Sequence, residues 1–112
     1  MSASNWKLDN LTAFLDKNRI QNDSFVESTM SIDPIAEKWK AFGWNVIEID
    51  GHDMKQIVQA TETALGVKGM PTIVIARTVK GKGVSFMENV PAWHGKAPND
   101  EQTEQALREI RR

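Results

Sequence analysis

No cysteine occurs among the 112 residues, which excludes disulfides and thiolate metal sites. No apolar run approaches the roughly 20 residues that a membrane helix needs, so no membrane partner is expected. Charge of one sign is missing as well: 14 Lys and Arg stand against 15 Asp and Glu, for a formal net charge of −1. A general nucleic-acid binder normally shows a basic stripe, and none stands out, so no nucleic acid is expected. Histidine is scarce, with only His52 and His94, and no Ser-His-Asp or Cys-His constellation is supportable from them. Met1 to Asn5 shows no basic stretch followed by an apolar one, so no signal peptide is expected and a cytoplasmic location is the plain reading.

What is present is the composition of a folding chain, 40% hydrophobic and 26% charged. The length implies one small domain over residues 1–112. Leu11–Leu15 and Thr72–Ala76 are continuous apolar runs of the kind that parallel strands show when both faces are covered. Asn45–Asp50 is a further strand, and the polar stretch Asp16–Ser24 reads as a loop at the first strand's carboxyl end. Asp33-Pro34 opens a helix, with Asp as N-cap and Pro in the first helical position, and Gly43 stops it. Ile35, Ala36, Trp39 and Phe42 mark that helix's apolar side.

Asp53 with Gln56 predicts a capping box, followed by a helix whose buried face is Met54, Ile57, Val58, Thr61 and Leu65. Lys80–Pro98 reads as a long Gly- and Pro-containing connection, and Asn99 with Gln102 caps a final helix. The alternation of strand and helix predicts an α/β chain: a partial doubly wound, mostly parallel sheet of about three strands with flanking helices. So narrow a sheet leaves edges that invite pairing with another chain, so a homo-oligomer is expected.

Ligands of open α/β sheets sit at the carboxyl ends of the strands, where Asp16–Ser24 falls. Asn18 offers an amide oxygen, and a loop carbonyl nearby can add a second hard ligand for Mg²⁺ or Ca²⁺. The alternative is a polar loop whose Asn and Asp satisfy their own backbone turns. Lys80-Gly81-Lys82-Gly83 lacks the spacing of a phosphate-binding loop and reads as a solvated, flexible turn. His52 reads as a turn residue. The four tryptophans, Trp6, Trp39, Trp44 and Trp93, are numerous for the length, and one or more of them is expected to face a partner.

Several segments together resemble transketolase, in particular the N-terminal subunit of its split bacterial form. They are Leu8–Ala13, Asp16-Lys17-Asn18, Phe42–Asp53, Lys80–Glu88 and Trp93-His94-Gly95. The likeness runs in order over nearly the whole chain and corresponds to the second half of the thiamine-diphosphate-binding domain. The resemblance implies that Asn18 and the Ile20 carbonyl are metal ligands, and so part of the cofactor site, for Mg²⁺ or Ca²⁺ bridging the diphosphate of thiamine diphosphate. His94 matches a family histidine close to cofactor and substrate, a catalytic position from which it can donate to a phosphate or polarise a carbonyl.

The chain departs from the family's pattern in stated places. No Gly-Asp-Gly occurs, so the metal's Asp ligand is missing. The glutamate that activates the cofactor belongs to another domain of the family. Gly usually stands where Arg19 and Ser24 are, and an apolar residue near the thiazolium ring where Asn22 is. The resemblance thus implies a fragment or subunit of a ketol-transferring enzyme, inactive alone and completed by complementary transketolase subunits, with sugar phosphates as substrates only in the full assembly. The alternatives are a truncated, non-catalytic domain that self-associates, and a small α/β binding module for an unrelated ligand.

Overall fold

A computed structural model describes residues 1–111 of the chain. The elements run α1 (Ser2–Asn5), β1 (Thr12–Lys17), β2 (Ile20–Gln21), β3 (Ser24–Phe25), α2 (Val26–Thr29), α3 (Ile35–Ala41), β4 (Asn45–Asp50), α4 (Met54–Gly66), β5 (Thr72–Arg77), a 3-10 turn (Pro91–Trp93) and α5 (Asp100–Ile110). They divide into two compact units. One holds Met1–Lys17 and Asp33–Thr78; the other holds Asn18–Ile32 and the described residues from Val79 onward.

The first unit is built on a three-stranded parallel sheet in the order β1-β5-β4. β5 lies in the middle, and Thr72 to Ala76 are all buried, which is why that run carries no polar alternation. Its odd residues face one way: Ile73 and Ile75 pack with Ala36, against which lie Ala13, Leu15, Ile35, Trp39, Trp44 and Val46. Its even residues face the other way: Val74 and Ala76 pack with Ile49 and Ala60, joined by Ile47 and Ile57. Helices α3 and α4 thus cover opposite faces, and the α/β, doubly wound, three-strand expectation holds.

Local reading and structure differ at three places here. Pro34, not Asp33, is the N-cap of α3, because the Asp33 carboxylate reaches the Ile35 N–H at 3.4 Å and shifts the start by one residue. Asp53 does cap α4, accepting from Lys55 and Gln56 N–H. Gln56, however, spends its carbonyl on the Asp50 N–H (2.9 Å), bracing the end of β4 instead of closing the box. The buried face of α4 is Ala60 and Ala64 with Ile57 beside them, whereas Leu65 is 70% exposed and Met54 and Val58 are exposed too. Hydrophobicity favours the larger side chains, but alanines spaced four apart let the helix axis approach the bulky Ile49 and Val74.

The second unit holds the β2-β3 hairpin, α2, the turns from Val79 to Trp93, and α5. Its last helix has the predicted capping box, with Asn99 and Gln102 bonding reciprocally. Among the described residues no helix is long and apolar enough to cross a membrane.

Candidate functional site

The chain leaves β1 at Lys17 and turns at once. The Asn18 side-chain oxygen accepts from the Ile20 N–H at 2.9 Å, an Asx turn that carries the chain over Arg19. Arg19 has φ +63°, the left-handed region that glycine enters freely and other residues enter at a cost of about 1 kcal/mol. This explains physically why glycine suits position 19. The Arg19 side chain turns to Glu27, Nε to Oε1 at 2.6 Å.

A hairpin follows, where a plain loop was expected. Ile20 pairs with Phe25 and Gln21 with Ser24, leaving Asn22-Asp23 as a two-residue turn. Asn22 has φ +55°, a conformation asparagine tolerates, and its side chain is exposed among the described residues. Val26 N–H returns to the Arg19 carbonyl at 2.9 Å. Antiparallel pairs alternate between hydrogen-bonded and non-bonded sites, so Ile20, next to that pair, turns both backbone groups away from β3. Its N–H meets Asn18, and its carbonyl lies on that same side. The polar-turn reading and the metal-ligand reading of Asn18 are therefore compatible, because an amide oxygen keeps a second lone pair.

His94 follows the 3-10 turn and is exposed, its N–H bonded to the Pro91 carbonyl at 2.9 Å. The turn is anchored by Trp93, whose indole donates to the Phe86 carbonyl (2.9 Å), packs on the Phe86 ring (5.4 Å) and lies under the Lys96 ammonium (5.0 Å). The segment expected as a flexible solvated loop is tightly wound instead. Gly81 has φ +76°, and a Cβ there would fall 2.6 Å from the Met87 carbonyl oxygen. Glu88 accepts from Gly83 N–H (2.9 Å) and lies 3.6 Å from Lys82, while Val84 is buried.

Within this unit the 3-10 turn packs against β3, which brings the hairpin of Asn18 and Ile20 and the turn of His94 into one assembly. Arg19, Phe25, Glu27, Ser28 and Asn89 line an open groove of about 510 Å³ beside the hairpin. The oxygens that the resemblance implicates, Asn18 Oδ1 and the Ile20 carbonyl, are both neutral. Among the described residues no group of three or more His, Cys, Asp or Glu could hold a metal ion. Asn18 and Ile20 fit a hard divalent cation only as part of a larger donor set. His52, in the first unit, sits in an exposed turn with its N–H on the Asp50 carboxylate, as a turn residue should.

Sequence reasoning missed the hairpin and the strained Arg19 at its base. Asn-Asp between two short β-compatible pairs was the signal available.

The family model described as transketolase, thiamine diphosphate binding domain, matches residues 1–110. An apulose-4-phosphate transketolase subunit of Phocaeicola vulgatus is 40% identical over 110 residues, 98% of this chain and 39% of the relative. A 6-deoxy-6-sulfo-D-fructose transketolase subunit of a Clostridium species is 39% identical over 98% of this chain and 40% of its own length. Among solved structures, transketolase of Campylobacter jejuni superposes with a TM-score of 0.89 at 28% identity, over 97% of this chain and 17% of that one. The chain spans about two fifths of the length of the subunit-type relatives it matches.

Proposed function

The chain belongs to the transketolase family of thiamine-diphosphate-binding domains, and from that premise we propose that it supplies one half of a cofactor site in a ketol-transferring enzyme assembled from more than one chain. Asn18 Oδ1 and the Ile20 carbonyl would hold a divalent cation, Mg²⁺ or Ca²⁺, against the cofactor diphosphate. The observation that carries this reading is their common side at the base of the hairpin, fixed by the Ile20 N–H to Asn18 bond. When bound, thiamine diphosphate supplies the carbanion-stabilising chemistry that lets a two-carbon unit pass between sugars.

The chain's own residues bind and orient. The Asx turn fixes the direction of both oxygens before any cation arrives, so no ordering cost falls on binding. His94, exposed on an anchored turn, is free to donate a hydrogen bond to a substrate oxygen or phosphate. Sugar phosphates are the substrates this reading gives to the assembly. The names of the two subunit-type relatives, a sugar-phosphate enzyme and a sulfo-sugar enzyme, support an acidic sugar substrate. Both are also named as subunits, which supports completion by a complementary chain.

The test is titration calorimetry with thiamine diphosphate and Mg²⁺, followed by turnover assays with sugar phosphates. The chain alone is expected to show no turnover. Adding a transketolase subunit that carries Gly-Asp-Gly but ends before this segment, together with the glutamate-bearing chain, is expected to produce turnover that Asn18→Ala removes. Turnover by the isolated chain, or restored turnover indifferent to Asn18→Ala, defeats the proposal.

A further inference from the structure

Arg19 stands between the two residues whose oxygens the proposed site uses, in a conformation that its own backbone disfavours. At φ +63° its Cβ crowds the neighbouring carbonyl, a contact that glycine escapes by having no Cβ. Short polar side chains offset this by bonding to their own backbone, as suits Asn22 at φ +55° in the same hairpin. Arginine has no such local bond to offer, so something else holds position 19.

Two contacts to one short segment do so. The Arg19 carbonyl accepts from Val26 N–H at 2.9 Å, and Arg19 Nε donates to Glu27 Oε1 at 2.6 Å. Val26 and Glu27 are consecutive and open α2, so the backbone and the side chain of Arg19 are fastened to neighbouring residues. That helix is in turn pinned to the hairpin, because the Ser28 and Thr29 hydroxyls donate to the Phe25 carbonyl at 2.9 and 3.1 Å. Phe25 pairs with Ile20. The contacts thus close a ring from Arg19 through Glu27 and Phe25 back to Ile20, entirely within the second unit. No member of the ring belongs to the three-stranded sheet, so the ring is independent of whatever adjoins that sheet.

We infer that Arg19 is a positioning residue: its ion pair with Glu27 holds the strained turn that presents Asn18 Oδ1 and the Ile20 carbonyl to a divalent cation. The cation itself rests on the proposed function, whereas the clamp rests on geometry alone. The φ and ψ of Arg19 lie between Asn18 and Ile20 and so set the direction of one oxygen relative to the other. Relaxing Arg19 to an ordinary conformation swings Ile20 away and breaks its 2.9 Å bond to Asn18. The pair is exposed, 67% and 45% for the two side chains, so its effect is limited to a factor of about five and is weakened by salt. That is of the same order as the strain it opposes, so the presence of the pair decides how firmly the turn is held.

The test is a double-mutant cycle read at the Ile20 amide by hydrogen exchange. Arg19→Ala and Glu27→Gln each keep the strain and remove the pair, and each should lower Ile20 protection about threefold to fivefold. The double variant should lose no more than either single one. Arg19→Gly, which removes the strain along with the pair, should restore protection in the Glu27→Gln background. The β5 amides should stay unchanged throughout, which separates a local clamp from global stability. In the complemented assembly, calorimetric Mg²⁺ affinity in the presence of thiamine diphosphate should weaken by the same factor in Arg19→Ala and Glu27→Gln. It should recover when Arg19→Gly is combined with Glu27→Gln. Additive losses, unchanged Ile20 protection in the single variants, or a Mg²⁺ affinity indifferent to the pair would each overturn the inference. A wild-type assembly that binds no Mg²⁺ would defeat the proposed function and the positioning role with it, while the exchange cycle reads the clamp by itself.

Discussion

Trp44 is tied to Trp39 twice, through backbone and ring. Its N–H reaches the Trp39 carbonyl at 3.2 Å, and the two indoles meet edge to face, 4.8 Å between centroids and 71° between planes. With Gly43 N–H on the Lys40 carbonyl (2.9 Å), these bonds form a Schellman motif, and the ring pair is its hydrophobic contact. The end of α3 and the start of β4 are thereby fixed as one corner.

That corner sets a stability prediction. Gly43 has φ +79°, so Gly43→Ala is expected to destabilise the chain by about 1–2 kcal/mol. Trp44→Ala, which also removes the ring contact and part of the α3-side core, should cost about 2–4 kcal/mol. Urea denaturation followed by circular dichroism measures both, and equal costs would contradict a separate contribution from the ring pair.

The Asp53 cap predicts a pH dependence. Hydrogen bonds from the Gln56 side chain first, then from the Gln56 and Lys55 backbone, hold its carboxyl below its ordinary value of 3.8. A carboxyl depressed in the folded state stabilises fully above its unfolded pKa, and that contribution disappears as the pH falls through the folded value. Asp53→Ala should therefore lower the denaturation midpoint at neutral pH, and the gap from wild type should shrink as the pH drops below 3.8. A gap unchanged across that window would remove the cap from the account.

Asn18→Ala leaves the Ile20 N–H without its acceptor and is expected to cost about 1 kcal/mol. In hydrogen exchange the Ile20 amide should lose roughly fivefold protection, since about 1.4 kcal/mol corresponds to a factor of ten. Asn18→Asp keeps the acceptor and should retain the protection. Equal loss in both variants would mean the Asx turn does not hold the hairpin base.

Glu109 fastens the final helix. It accepts from Ser85 N–H (2.6 Å), the Ser85 hydroxyl (2.9 Å) and the Gln105 amide (2.8 Å). Charge-assisted bonds of this kind make Glu109→Ala cost about 1–3 kcal/mol. The loss should appear as faster exchange of the α5 amides, with the β5 amides unaffected. Faster exchange spread equally over both would place the effect in global stability.

Much of this was legible in the sequence because it is local. Thr72–Ala76 announces a covered strand by its unbroken apolar character, and Asn99 and Asp53 announce caps because the donors they satisfy lie two or three residues away. The resemblance likewise points to Asn18, Ile20 and His94, whose roles are part of the proposal. The Ile20–Phe25 hairpin was not, because two-residue strands are too short to show alternation. The buried face of α4 was not, because the sheet beneath it selects alanine for closeness over leucine for area.

The resemblance rested on a loop, Asp16 to Ile20, and a histidine, and the family assignment follows from the order of residues alone. What those residues do next depended on tertiary structure. The hairpin and the turn of His94 meet only because the 3-10 turn packs against β3, and β1 and β4 are held apart only because β5, last in sequence, pairs between them. Local hydrogen bonds are set by neighbours along the chain, whereas strand order and edges are set by contacts across some sixty residues, which no short window of sequence encodes.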